Sequence, residues 1–359
     1  MKRVSYRTND NIRTIQLVLV GLTLIFAWII SGWNTYNADL HNYEIMYSLA
    51  EFDNPADSNY GIYFLFEILK KLNLDFFYSR LILYGIFYSV LAYVLLKTCK
   101  NAFIASVLYL GYQLVRDTVE MKNYMALITM TVSIYVLSFQ TLKHRIYSFV
   151  LILIAGSFHI AYYAFLLMPF ISFQKKLPLY RSLLCYVIVA FFSRLIVGSV
   201  LSIYTTSFID NRVEDYMSYS GYGAFFASLL VVCGCVFVFY LTFKKTESIT
   251  NYNSIVINGI SYRQYSLFMY NINVLGASLL VLASITFSFI CRLYSLIILF
   301  NIIYCLNYFH YRRKAVFDII VIIFVVFYLA VLIFLTMSKG HYDDVFNNNL
   351  ILTYNENVI

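Results

Sequence analysis

The chain has 359 residues, of which 61% are hydrophobic and only 12% charged, with a formal net charge of +8. Soluble domains average about 45–50% apolar and about 25% charged residues, so a mean hydropathy of +0.74 excludes an ordinary water-soluble core. Apolar runs recur along the whole length and mark an all-α, polytopic membrane protein, read as a single membrane domain over 1–359. The six cysteines sit in or beside these runs as small buried hydrophobes, not as a disulfide framework or a metal site.

In chain order, Lys2, Arg3, Arg7 and Arg13 precede an uncharged run at 15–33. It lacks a small-residue cleavage site and reads as a first transmembrane helix, not a removed signal peptide. A long, acidic, tyrosine-rich loop follows at 34–77. Within it, 60–74 carries apolar residues at helical spacing with Glu67, Lys70 and Lys71 on the polar side, as in an amphipathic helix lying at a membrane interface. Further spans are expected at about 78–96, 101–115, 123–142, 182–203, 222–243, 265–290, 293–311 and 316–337.

The stretch 146–173 has 28 residues, too few for two crossings of about 20 residues each. Lys143 and Arg145 precede it, and Lys175, Lys176 and Arg181 follow it, so the positive-inside rule puts both ends on one side. Two short half-helices turning at 156–159 satisfy both constraints, provided protein or a watery cavity covers the non-helical backbone; a bent single span is the alternative. A second outer loop is expected at 204–222 and an outer tail at 338–359, whose Asn347, Asn348 and Asn349 read as solvated.

This makes about 11 helical segments, with the N-terminus cytoplasmic and the C-terminus external. It assigns 17 of the 26 Lys and Arg residues to the inside, with three of the 18 acids. The nine remaining bases and 15 acids fall outside or in the outer half. Orientation follows the basic count alone, and 17 against nine supports it. The positive charge therefore reports orientation, and no basic groove or recognition motif points to nucleic acid.

The segment 117–126, Asp-Thr-Val-Glu-Met-Lys-Asn-Tyr-Met-Ala, places two acids and a lysine between two apolar runs. Ionisable groups in such a setting are costly and mark a functional site by default. Four stretches, taken together, resemble the EpsG-like, Wzy-type polymerases of bacterial capsule and exopolysaccharide synthesis. The first is Ala38-Asp39-Leu-His-Asn42-Tyr43-Glu-Ile-Met-Tyr47, similar to an Asp…Asn-Tyr…Tyr signature. The second is Tyr60-Gly61-Ile-Tyr-Phe-Leu, similar to a Gly-Tyr-x-x-Leu helix start. The third is 117–126 itself, which resembles Asp-x-x-Gln-x-Arg-Asn-Phe-x-Ala, with Glu120 in place of Gln and Lys122 in place of Arg. The fourth is Ser157-Phe158-His159-Ile-Ala, like a Phe-His-x-Ser/Ala turn.

The resemblance implies a bacterial inner-membrane glycosyltransferase acting on undecaprenyl-pyrophosphate-linked oligosaccharide in the outer leaflet. Flippase and chain-length regulator proteins are the expected protein partners, and no cofactor or metal is implied. A leaving pyrophosphate needs cations, for which Arg116, Lys122, Arg194, Arg212 and Arg292 are the candidates. Lysine lacks the bidentate fork that arginine offers a phosphate. The acceptor hydroxyl gains from a base, for which His159, Asp39, Asp117 and Glu120 are candidates; Asn123 and Tyr43 join the substrate-binding set.

Each residue also has a plainer reading. Asp117 and Glu120 can pair with Arg116 and Lys122 along a helix face, His159 can be a hydrogen-bonded core group, Arg292 an interface anchor, and Asp39 and Tyr43 a loop brace. The rival functions are a lipid-linked oligosaccharide flippase or other transporter, a non-catalytic member of an export complex, and a membrane acyltransferase or O-antigen ligase. No internal repeat supports the transporter, and the ligase calls for a larger outer loop than 204–222.

Overall fold

The computed structural model describes residues 10–50, 60–170, 176–178, 182, 188, 222–246, 256–257, 260–277, 287–311 and 339–352. These residues fall into two compact units. The first holds α1 (Asp10–Gly32), α2 (Leu40–Ser48), α3 (Tyr60–Lys71), α4 (Phe76–Thr98), α5 (Ala102–Val119), α6 (Met121–Leu137) and α7 (Leu142–Phe158). Two short 3₁₀ stretches, Ile160–Phe165 and Met168–Phe170, follow α7. The second unit holds α8 (Tyr222–Thr246), α9 (Tyr262–Gly276) and α10 (Phe287–Tyr311), and α11 (Lys339–Asn347) belongs to the first. Two-residue strands at Val256–Ile257 and Ile260–Ser261 are the one departure from helix and turn among the described elements.

Among the described residues three segments are long and apolar enough to cross a membrane: Arg13–Gly32, Phe76–Thr98 and Arg292–His310. The protein is thus a helical membrane protein. α1 exposes Ile15, Leu17, Val18, Leu22, Ile25 and Phe26, as a lipid-facing helix does. α6 is buried on nearly every side, the pattern of a helix at the centre of its bundle. It packs along α7, where Ser133 and Ser148 pair through their hydroxyls at 2.8 Å.

Charged and capping residues set the element ends. The Asp75 carboxylate accepts the Tyr78 N–H at 2.8 Å and caps the start of α4. Asn73, in the left-handed region at φ 57°, ends α3, as an asparagine commonly does after a helix. α5 runs to Val119 and α6 starts at Met121, leaving Glu120 alone between them. The gap between the spans expected at 101–115 and 123–142 is therefore mostly helix. The short helix α2 was not anticipated.

At 146–173 the chain does reverse, but not as two half-helices. α7 is a full 17-residue arm, about 25 Å long at 1.5 Å per residue. The chain breaks at His159, which is extended at φ −150°, ψ 112°, and the return is largely 3₁₀. A 3₁₀ rise of about 2.0 Å per residue covers the same distance with fewer residues. The Arg145 guanidinium, near the start of α7, reaches the Pro169 carbonyl at 3.3 Å, so the return arm ends beside the first turn of α7. Tyr163 folds back over Gly156, where a Cβ would strike its ring.

In the asparagine run near the C-terminus Asn347 is exposed, but Asn348 is half-buried and Asn349 is not solvated. Asn349 is fully buried and donates to the Ile29 and Ile30 carbonyls, both at 3.0 Å. Its side-chain Oδ1 accepts the Ile351 and Leu352 N–H groups. Thr35 bonds the Asn348 carbonyl through its N–H at 2.7 Å and its hydroxyl at 2.8 Å. The physical reason is that a helix leaves its last carbonyls without intrahelical donors, and this tail supplies them to α1. Arg80 does the same from α4, donating to the carbonyls of Gly32, at 2.9 Å, and Asn34.

In the second unit, α8, α9 and α10 pack together around buried amides. Asn273 and Asn301 donate to each other at 2.8 Å both ways, and Asn301 also reaches the Cys235 sulfur at 2.9 Å. Such reciprocal pairs satisfy both amides away from water.

Candidate functional site

The four stretches singled out in the sequence meet in the first unit. Gly61, at the start of α3, lies against the end of α7: an added Cβ would be 2.9 Å from Phe158 Cδ1 and 3.0 Å from the Ser157 carbonyl carbon. Only a residue without a side chain lets the second stretch approach the fourth this closely. Tyr43, on α2, accepts the Lys122 N–H at 3.2 Å, joining the first stretch to the third. Tyr162 donates to Asn123 Oδ1 at 3.1 Å, joining the third to the chain just after the fourth.

Tyr43 takes the place of a capping side chain at the start of α6, because Glu120 makes no side-chain cap of its own. The phenol is buried, and burial pushes its pKa well above the ordinary value; Asp39 adds to this, the Lys122 N–H opposes it, and Glu120 contributes less. Asp39 and Glu120 therefore both act on the Tyr43 hydroxyl. Asp39 is half-buried before α2, accepts the Tyr43 N–H on its carbonyl at 3.2 Å, and takes the Asn37 side-chain oxygen on its own N–H. Glu120 and Lys122 are likewise half-buried. Asn123 is 1% exposed, and its Nδ2 has no hydrogen-bond partner among the described residues.

His159 is part-exposed and caps the first 3₁₀ stretch: its Nδ1 accepts the Ala161 N–H at 3.3 Å. Its ring meets Tyr162 edge-on, with centroids 6.1 Å apart. A continuous set thus runs from Asp39 and Tyr43 through Lys122 and Asn123 to Tyr162 and His159.

Asp117 stands differently. It is fully buried, with Oδ2 accepting the Tyr109 hydroxyl at 2.6 Å and Oδ1 accepting the Gln113 amide at 3.0 Å. Tyr84 donates to its backbone carbonyl at 2.8 Å. Arg116 is buried in the last turn of α5, where its charge acts on Tyr342 of α11. Arg292 is part-buried in α10, in the second unit. Arg194 and Arg212 lie outside the described residues, as do the 204–222 loop and the spans expected at 182–203 and 316–337, apart from isolated positions.

Three contributors were missed in the sequence. Arg80 sits in an apolar run, the signal that marked other arginines, yet its guanidinium serves the end of α1 and lies 5.7 Å from the Phe76 ring centroid. Tyr162 and Tyr109 gave no signal among so many tyrosines. Among the described residues no cluster of His, Cys, Asp and Glu has the makings of a metal site.

A membrane helix bundle that gathers carboxylates, a lysine, a histidine and a buried amide, whose Nδ2 has no partner among the described residues, is the class that fold and site define. The EpsG family model matches residues 17–355, and the chain belongs to that family of EpsG-like polysaccharide polymerases. Neither a curated protein nor a solved structure matches it.

Proposed function

We propose that this protein joins undecaprenyl-pyrophosphate-linked oligosaccharide repeat units into a capsular or exopolysaccharide at the outer face of the bacterial inner membrane. An acceptor sugar hydroxyl attacks the anomeric carbon of the donor chain. The bond from that carbon to the pyrophosphate oxygen breaks, the hydroxyl proton passes to a base, and undecaprenyl pyrophosphate leaves. Asp39 and Glu120 are the carboxylates assigned to the proton, as both are half-buried and border Tyr43. Lys122, with Arg116, is assigned to the pyrophosphate, where positive charge stabilises the charge that develops on departure.

The observation that carries this reading is the meeting of all four family-like stretches around Tyr43, Lys122 and Asn123, where the buried Asn123 Nδ2 has no partner among the described residues. A buried donor of that kind is costly, and a substrate oxygen would satisfy it. An open apolar groove along α4, lined by Trp28, Leu81, Ile82, Gly85, Ile86 and Tyr93, suits a polyprenyl chain.

A chromosomal deletion complemented with wild type, Asn123→Ala or Lys122→Ala tests the reading. Envelope glycans are then sized by gel. The deletion should leave single lipid-linked units and lose the polymer ladder, and normally expressed variants should match it. Unchanged polymer length, or precursors held on the cytoplasmic side, would instead favour an accessory or flippase role.

A further inference from the structure

The docked tail ends in a turn that is poorly suited to water. Beyond Asn349, the consecutive apolar residues Leu350, Ile351 and Leu352 are 42%, 50% and 48% exposed. Their N–H groups, by contrast, are all paired within the chain. The Leu350 N–H donates to the Trp33 carbonyl at 3.1 Å, and those of Ile351 and Leu352 donate to Asn349 Oδ1 at 3.0 and 3.2 Å. A segment in water can leave its N–H groups to the solvent, whereas one in lipid must satisfy them internally. Outward apolar side chains with inwardly paired N–H groups are what a lipid-seated turn requires.

The depth of this turn is set by α1. Asn349 forms an antiparallel bridge with Asn34 and reaches the carbonyls of Ile29 and Ile30. Those carbonyls belong to the last turn of the span Arg13–Gly32, so 350–352 lies level with the end of a membrane crossing. Trp28 and Trp33, packed edge-on with ring centroids 4.6 Å apart, occupy the same level, as amphipathic rings do at a membrane–water boundary. Deeper along α1, Leu22, Ile25 and Phe26 continue the exposed apolar surface.

We propose that Leu350, Ile351 and Leu352 are seated in the bilayer at the boundary between headgroups and acyl chains, and that lipid anchors the tail there. Lipid is the occupant because the patch continues the exposed face of a span at the depth where that span ends. The sequence permits the approach, since no charged residue lies between Asp344 and Glu356, and a charge at this depth would be costly. Asn349 joins the two parts of the device: its amide N–H groups hold α1 and its oxygen closes the turn. The start of α6 lies near the same boundary, because Ser31 of α1 shares a 2.8 Å hydrogen bond with Thr118 near the end of α5. The inference rests on the span and the turn alone and is independent of the polymerase reading.

A benzophenone-bearing amino acid placed at position 351 of the full chain, irradiated in native membranes, identifies what covers the turn. Position 343, exposed on α11, is the control. Mass spectrometry of the purified protein should find phospholipid adducts at 351 and none at 343. Adducts with another protein or with a second copy of this chain, or no lipid adduct at 351, overturn the proposal. Equal lipid adducts at both positions also overturn it, because the contact would not belong to the turn. Ile351→Asp in nanodiscs then reads the anchoring. Hydrogen exchange over α11 should quicken by about tenfold, the effect of losing about half of an isoleucine's burial, while Ile351→Leu should match wild type. Unchanged exchange in Ile351→Asp means that lipid does not hold the tail. An equal rise in Ile351→Leu would trace the effect to packing within the turn and would refute the anchor as well.

Discussion

Replacing Gly61 by alanine tests the contact on which the candidate site depends. The new Cβ would lie 2.9 Å from Phe158 Cδ1, 3.0 Å from the Ser157 carbonyl carbon, and closer still to Ser157 Oγ. Because one of these atoms is backbone, the neighbours cannot yield by turning a side chain alone, which puts the overpacking cost near the upper part of its range, about 2–3 kcal/mol. Alanine's helix preference over glycine offsets about 0.5–1 kcal/mol. A net loss of about 1–2.5 kcal/mol remains, or about 2–10 °C in melting temperature for a unit of 150–250 residues. The assay is thermal unfolding in detergent, paired with polymer sizing in complemented cells. Gly111→Ala is the control: it is exposed in α5 with no atom within 4 Å of its added Cβ, and should be neutral or stabilising. Wild-type stability and polymer for Gly61→Ala, or an equal fall for Gly111→Ala, would refute the reasoning.

Asn349→Ala removes the donors that serve the Ile29 and Ile30 carbonyls. A loss of about 1–3 kcal/mol is expected, with faster hydrogen exchange over α11, whereas unchanged exchange would mean that the tail does not hold the end of α1. Tyr162→Phe removes the hydroxyl that donates to Asn123 Oδ1 and should abolish polymer in cells with expression intact. Tyr163→Phe, which keeps the ring over Gly156, should not. Asp117→Asn keeps an oxygen for the Gln113 amide, and the Tyr109 hydroxyl can turn to accept. It should change chain growth by less than about tenfold, since losing a general base costs about 10²–10⁴; a larger fall at normal expression would return Asp117 to the chemistry.

The membrane class was legible because lipid demands apolar helices, and α1 and α4 stand out by composition alone. So was the reversal at 146–173, because too few residues lay between two basic flanks. What hydropathy could not reveal was helix type: a 3₁₀ return arm has the same composition as an α-helical one. The docked asparagines were misread for a similar reason. Asn349 is polar in isolation, and its burial follows from the orphan carbonyls of α1, 319 and 320 residues away along the chain. In the candidate site, Asp39, Glu120, Lys122 and His159 announced themselves as polar groups among apolar ones. Tyr162 did not, because one phenol among 35 tyrosines carries no distinguishing pattern. The division of labour between Asp117 and its neighbours was also hidden, since it depends on Tyr109 and Gln113 lying on the same side of α5.

The most direct test of the central claim is reconstitution. Purified protein in liposomes is given undecaprenyl-pyrophosphate-linked repeat units, and both chain length and released undecaprenyl pyrophosphate are followed. The account predicts a ladder of lengthening chains with one undecaprenyl pyrophosphate released per linkage formed, and neither product from Asn123→Ala or Lys122→Ala. Repeat units that cross the bilayer but never join would contradict it.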